Sequence, residues 1–335
     1  MVDTDTFLTA LYVMADDFCK TQSQLPAEAD QDEQDNMCSK PGPEPSLYPG
    51  EVVCLALFSQ FGKFASERDF YRYASRHLLT AFPRLPHRTQ FNRLLRRHYK
   101  AIATFALYLA RLLKTQQPQQ QGPGPQNYLY EALDTLALPT RDAKRRGAGW
   151  LCEYTNIGYS GRIGWYEGFH LLTSVTPVGA VTGWGIGRAS SKDQPLAESF
   201  FAARALPQRL KLKYMCSAGA RTDVPYVADT GFEGAPNHKR WKQLYGAELI
   251  CPPHPYTRSR VWGRAARSWL ARVRQIAESV YEKLHNFFGL QRERPHDMAG
   301  FQARLAATIG LHNFCIWLNT QLGRPPLAFA DLLDW

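Results

Sequence analysis

Apolar positions recur at helical spacing through the first third of the chain and give way to short aromatic and β-branched runs after it. Phe7, Leu8, Leu11, Val13 and Met14 predict a helix over residues 6–18. An acidic, Pro-rich loop covers 24–49, and residues 51–61 read as an apolar helix. Ser66 before Glu67 and Asp69 is an N-cap signal for the next helix. Beyond a break at Phe82-Pro83-Arg84-Leu85-Pro86, residues Phe91, Leu94, Leu95, Tyr99, Ile102, Phe105 and Leu109 share one face of a single basic helix over 89–113. The stretch QQPQQQGPGPQ can neither continue a helix nor bury anything, so 116–127 is the expected linker.

After that linker the period changes. Residues 128–138, 168–175 and 180–186 read as strands, the last two joined by the hairpin signal Thr176-Pro177-Val178-Gly179. A helix over 191–206 and a strand over 224–228 follow. Then come a helix over 237–245, a strand over 247–251 and a long helix over 265–288. This order predicts a mixed α/β layer, a sheet flanked by helices, behind an all-helical N-terminal region. The expected division is a helical region 1–115, a second domain 128–320 and a tail 321–335.

Composition supports that division and narrows the function. A chain of 335 residues with 44% apolar and 13% aromatic content has material for two cores and is not disordered as a whole. Its longest apolar runs are too short to cross a bilayer. Its N-terminus carries acids where a signal peptide carries bases, so the expected location is cytoplasmic. Seven scattered cysteines lack any CxxC pair, which argues for reduced, mostly buried thiols rather than a disulfide frame or a structural zinc.

Charge changes the picture most. Residues 1–36 hold nine acids against Lys20, so that segment is net −8 and the remainder +18. Two stretches contain bases and no acid. One, from Thr80 to Tyr130, includes Arg84, Arg88, Arg93, Arg96, Arg97, Lys100, Arg111 and Lys114. The other, from Cys251 to Ala277, includes Arg258, Arg260, Arg264, Arg267, Arg272 and Arg274. Such clusters are the electrostatic footprint of a polyanion, and double-stranded DNA is the expected partner.

Three carboxylates occupy distinctive places: Asp134 within the first strand, Asp229 before a Gly turn in VADTGFEG, and Glu278 inside the last long helix. A charge in an apolar strand is costly unless it is paired or holds a metal, and three converging carboxylates could hold two magnesium ions for in-line attack at a phosphodiester. His170 reads as a structural strand histidine and Asp193 as an N-cap. Gly183-Trp184-Gly185-Ile186-Gly187 lacks the following Lys-Ser/Thr of a phosphate loop.

The strand EALDTLALP, the hairpin GWYEGFHLLTSVTPVGAVTG, the ADTGFEG turn and the helix RQIAESVYEKLHNFFGL resemble the catalytic domain of DDE-type bacterial insertion-sequence transposases. FPRLPHRTQFNRLLRR looks like the DNA-facing helical region that precedes it. The resemblance implies an RNase-H-like fold and an enzyme that cleaves element ends and joins 3′-hydroxyls to target DNA. Asp134, Asp229 and Glu278 would be catalytic and would hold two Mg2+ ions, with Mn2+ as a substitute. Arg274, four residues before Glu278, would hold a phosphate. Arg93, Arg96, Arg97, Lys144, Arg145, Arg146 and His285 would be further DNA contacts. It also implies a homodimer on terminal inverted repeats and target DNA, associated with the nucleoid. Where some relatives carry a Tyr and a Lys around this motif, the chain has Ala271 and His285. A decayed relative that only binds DNA is the alternative.

Overall fold

The computed structural model describes residues 1–24, 44–115, 130–144, 146–147, 149, 151–206, 215–253, 262–290 and 296–335. The 116–127 linker, Arg145 and most of the 24–49 loop lie outside them. The chain forms two compact units, one of residues 1–109, 286–290 and 295–335, the other of 110–285 and 291–294.

The first unit is mainly helical. Its helices are α1 (Thr4–Gln24), α2 (Pro49–Phe58), α3 (Glu67–His77), α4 (Arg88–Arg97), the first part of α5 (Tyr99–Thr115) and α9 (Met298–Gln321), named in chain order. Pro49 opens α2 where a missing N–H costs nothing. The Ser66 side chain caps α3 by accepting from Asp69 N–H at 3.2 Å. Phe7 is the hub of the core, with ring centroids 5.3 Å from Phe61 and 5.1 Å from Phe314.

Three expectations change here. The single helix over 89–113 is two, α4 and α5, separated at His98, whose backbone leaves the helical region. The buried stripe Phe91, Leu94, Leu95, His98, Ala101, Ile102 and Phe105 keeps its phase across the break, so periodicity cannot reveal it. Secondly, α9 belongs with the N-terminal helices rather than with the sheet: Asn313 Nδ2 donates to Ala106 O at 3.2 Å. A helix buried all round carries no sign of which core it fills. Thirdly, 321–335 is not a loose tail. Phe329, Leu332 and Leu333 are buried, and β9 (Leu333–Asp334) pairs in parallel with β1 (Val2–Asp3).

The second unit is built on a mixed sheet of β2 (Glu131–Asp142), β3 (Asn156–Ser160), β4 (Gly164–Val175), β5 (Val181–Arg188), β6 (Met215–Ser217), β7 (Tyr226–Val227) and β8 (Leu249–Ile250). Its order is β6-β5-β4-β2-β7-β8, with β3 paired to the start of β4. The neighbours from β6 to β2 are antiparallel, while β2, β7 and β8 are parallel. The short strands β3 and β6 escape the hydrophobic pattern, and β2 runs well past the expected Leu138.

Helices α6 (Asp193–Ala205) and α7 (Ala235–Tyr245) cover one face, where Leu133 and Leu172 meet Leu196, Phe200, Phe201 and Trp241. Helix α8 (Arg264–Glu282) covers the other, where Ala132 and Val227 meet Leu270, Val273 and Ala277. The expected helix over 265–288 changes to a π turn over Lys283–Phe287. Among the described residues no helix is long and apolar enough to cross a membrane. The described cysteines are free, with Cys19, Cys54 and Cys315 buried and Cys152 exposed.

An ion pair is buried within this unit. Arg204 Nη1 donates to Glu131 Oε2 at 2.6 Å and to Tyr226 Oη at 2.8 Å. Ser174 Oγ and Thr182 Oγ1 donate to the same carboxylate oxygen at 2.5 and 3.0 Å. Arg204 Nε donates to Ala218 O. Lys114 Nζ stands 3.7 Å from Glu131 Oε1 as a longer-range second cation. Truncating Arg204 thus leaves the carboxylate under-compensated, and breaking such a buried pair costs up to about 3–5 kcal/mol. Arg204→Met should therefore lower the unfolding free energy in urea by about that much, and Glu131→Gln placed in the same chain should recover part of the loss. A loss below about 1 kcal/mol would show that the pair does not hold the sheet to α6.

Candidate active site

Strand register sets the centre of the site. Ala132 lies opposite Val227 in the parallel pair, so Asp134 and Asp229, each two residues further on, stand at the same level, Asp134 within β2 and Asp229 just past the end of β7. Asp134 is buried, while Asp229 is partly exposed. The Asp134 carboxylate turns toward the α8 face and accepts from Thr135 N–H at 2.9 Å. The Asp229 side chain starts a 3-10 turn, Thr230–Phe232, by accepting from Gly231 N–H at 2.8 Å.

Arg274 of α8 spans both acids. Its Nη2 is 3.6 Å from Asp229 Oδ2 and 4.0 Å from Asp134 Oδ2. Among the described residues its buried Nε has no hydrogen-bond partner, so the guanidinium keeps a donor to spare. Burial pushes the Asp134 carboxyl up to about 6. The Thr135 N–H and Arg274 oppose that rise, while Asp229 and Asp193 add to it.

A third carboxylate reaches this cluster, and it is not Glu278. Lys192 takes the N-cap of α6, which leaves Asp193 in the first helical turn rather than capping it. His170 Nε2 is 3.6 Å from Asp193 Oδ1, a buried oxygen with no hydrogen-bond partner among the described residues. Because Ser191 O can only accept, His170 Nδ1 carries the proton that spans their 2.7 Å contact, and Nε2 is the nitrogen that faces the acid. Burial raises the Asp193 carboxyl, and Asp229 adds to that against His170 and Thr135. A Cβ at Gly231 would collide with Asp193 Oδ2 and stand 3.0 Å from Asp229 Oδ1, so a larger residue here would push the two carboxylates apart.

Glu278 is exposed on α8, one turn after Arg274. Tyr281, two turns after Arg274 on that side of the helix, has its hydroxyl 2.9 Å from Thr173 Oγ1, the cross-strand neighbour of Asp134. Glu278 therefore lies on a helix face bracketed by two residues that reach the Asp134 side of the sheet. Among the described residues no three His, Cys, Asp or Glu side chains converge at metal-ligand distance.

The expected DNA contacts divide. Arg93 and Arg97 are exposed on α4. Arg96 is exposed too, but its Nη1 donates to Asp297 at 2.9 Å, so a stretch free of acids in sequence is not free of them in space. Lys144 and Arg146 are exposed on the connection after β2. His285 is 1% exposed, its Nδ1 accepting from Arg162, and burial, then Arg162, lower its pKa to about 4. It is a packed, neutral side chain in this structure and offers nothing to a phosphate.

Gly231→Ala should cost about 1–3 kcal/mol of unfolding free energy, the usual range for overpacking. In an Asp193→Ala background the same change should cost clearly less, because the clashing oxygen is gone. Equal costs in the two backgrounds would mean that Asp193 does not press on the turn. Compared with protein-family models, with curated proteins and with solved structures, the chain matches none.

Proposed function

We propose that the chain is a DDE-type DNA transposase that cleaves element ends and joins the 3′-hydroxyls to target DNA. The observation that carries this reading is the pair Asp134 and Asp229, held at one level on adjacent parallel strands with the Arg274 guanidinium across them. A mixed sheet with helices on both faces is compatible with the RNase-H-like fold that the sequence resemblance implies.

The donor set fits magnesium, a hard cation that takes one or two carboxylates together with phosphate oxygens. Asp134 and Asp229 would hold it. Glu278 is the third ligand implied by the resemblance, and Asp193 is the acid nearest to the pair. When bound, such ions supply Lewis acidity toward the phosphodiester and activation of water or a 3′-hydroxyl. The protein's own part is orientation. Arg274 would grip a non-bridging phosphate oxygen through its guanidinium. Two copies would act together so that two ends meet, in a bacterial cytoplasm at the nucleoid.

The test is magnesium-dependent nicking of DNA carrying the element's own ends. Asp134→Asn and Asp229→Asn should abolish nicking with DNA affinity retained. Glu278→Gln and Asp193→Asn, compared side by side, identify the third carboxylate by which one also abolishes it. Arg274→Lys should slow cleavage about tenfold or more, since a charge-assisted hydrogen bond is worth about 1.5–3 kcal/mol and Lys cannot reproduce the fork. Wild-type rates in Asp134→Asn would sink the proposal.

Affinity is expected to rest partly on α4. Each phosphate contact contributes roughly 0.9 to the slope of log affinity against log salt. Arg93→Ala combined with Arg97→Ala should flatten that slope by about 1.8, and Arg96→Ala, whose side chain already serves Asp297, should change it less. An unchanged slope in the double variant would place the phosphate contacts elsewhere.

A further inference from the structure

Beyond the carboxylate site, β2 and β4 continue as a ribbon, and β3 pairs with its outer part. Side chains alternate between faces, and Thr173 shares the face of Asp134, so Trp165, eight residues away along β4, shares it too. Its cross-strand partner is Tyr159, and Ile157 is the next residue of β3 on that face. All three are open to solvent, with Ile157 51%, Tyr159 64% and Trp165 69% exposed. The two rings meet edge to face at 5.4 Å.

Apolar groups on an outer strand invite aggregation unless they serve a partner, and the charge around these three selects one. Lys144, Arg146 and Arg162 are exposed on the connections of the ribbon, against the exposed acids Asp142 and Glu153, and Asp142 already accepts from the Lys144 N–H. Aromatic faces beside cations suit bases and phosphates together, and only an unpaired base presents its flat face to a ring.

We propose that Tyr159 and Trp165 form a stacking platform for unpaired bases of the DNA strand whose phosphodiester lies at Asp134 and Asp229. The assignment rests on the nuclease reading of that site and adds a partner to it. At about 3.4 Å per residue the platform stands roughly 27 Å from Thr173 along the strand, so the bases it holds lie several nucleotides from the reacting phosphate. Arg162 sits at the tip of the hairpin, where its guanidinium meets His285, which anchors the ribbon's far end to the end of α8.

The test is equilibrium binding of the full chain, in chelator and without magnesium, to a single-stranded oligonucleotide and to a blunt duplex of the same sequence. Tyr159→Ala and Trp165→Ala should each weaken single-strand binding about fivefold or more. The duplex should be little affected and the salt slope unaltered, because no charge is removed. Trp165→Phe should bind nearly as wild type while losing the fluorescence quenching that the oligonucleotide causes in the wild-type chain. That measurement stands even if an alanine variant fails to fold. Unchanged single-strand affinity, or quenching that persists in Trp165→Phe, overturns the platform. So does a variant that leaves DNA affinity intact but dissociates a self-associated chain in the ultracentrifuge, for then the patch is a protein interface. Binding is measured without metal, so a chain that never nicks DNA but needs Trp165 for single strands refutes only the nuclease reading. A chain that nicks DNA without needing Trp165 refutes only the platform.

Discussion

The Glu131–Arg204 pair is the constraint on which the sheet-containing unit depends. Glu131 opens β2, three residues before Asp134, and Arg204 ends α6, whose first turn carries Asp193. Between them Ser174 of β4, Thr182 of β5 and Tyr226 of β7 complete the hydrogen bonding. One buried charge pair therefore fixes four strands and a helix at once. A hydrophobic substitute of similar volume could be as stable, since burying two charges costs several kcal/mol per ion before they attract. What directional bonds add is register: a slip of one residue in β2 would turn Asp134 to the α6 face and Thr135 to the α8 face.

With register held, topology gathers the acids. Strand β5 is antiparallel to β4, and β4 to β2, so β2, β5 and β7 all run in one direction. The segments after β5 and β7 emerge beyond the same edge, carrying Asp193 and Asp229, while Asp134 looks out from β2 at that level. Open sheets place ligand sites beyond the carboxyl ends of their strands for this reason. Gly231 lets the last two carboxylates approach where any Cβ would part them.

Much of this is legible in the sequence, and the failures have physical causes. Strong periodicity and turn chemistry place α6, α7, the start of α8 and the β4–β5 hairpin to within a few residues. The end of the second domain at 320 and the tail at 321 fail because α9 is apolar all round and says nothing of its neighbours. Asp193 is passed over because a charged residue at a helix start has an ordinary use, and only strand direction reveals that this start faces Asp229. Glu131 and Arg204 are missed because their partners are 73 residues apart, and no local pattern marks a buried pair. His285 reads as a helix-surface group, yet the helix changes to a π turn there and carries it inward.

Arg274 then becomes the hinge between folding and chemistry. Two carboxylates at one level repel, and burial alone already makes Asp134 reluctant to ionise. A fixed guanidinium on α8 relieves both problems while the protein stands alone. It does so at 3.6 and 4.0 Å, longer than the 2.7–2.9 Å of a charge-assisted hydrogen bond, with its buried Nε left over. A residue meant only to neutralise two acids would close those distances. One that stands off from both and keeps a donor in reserve is suited to give way when another cation takes the carboxylates. On the proposed reading the same guanidinium thus serves first as counter-ion and then as phosphate clamp, and its position one helical turn from Glu278 brings both roles to the same edge of the sheet.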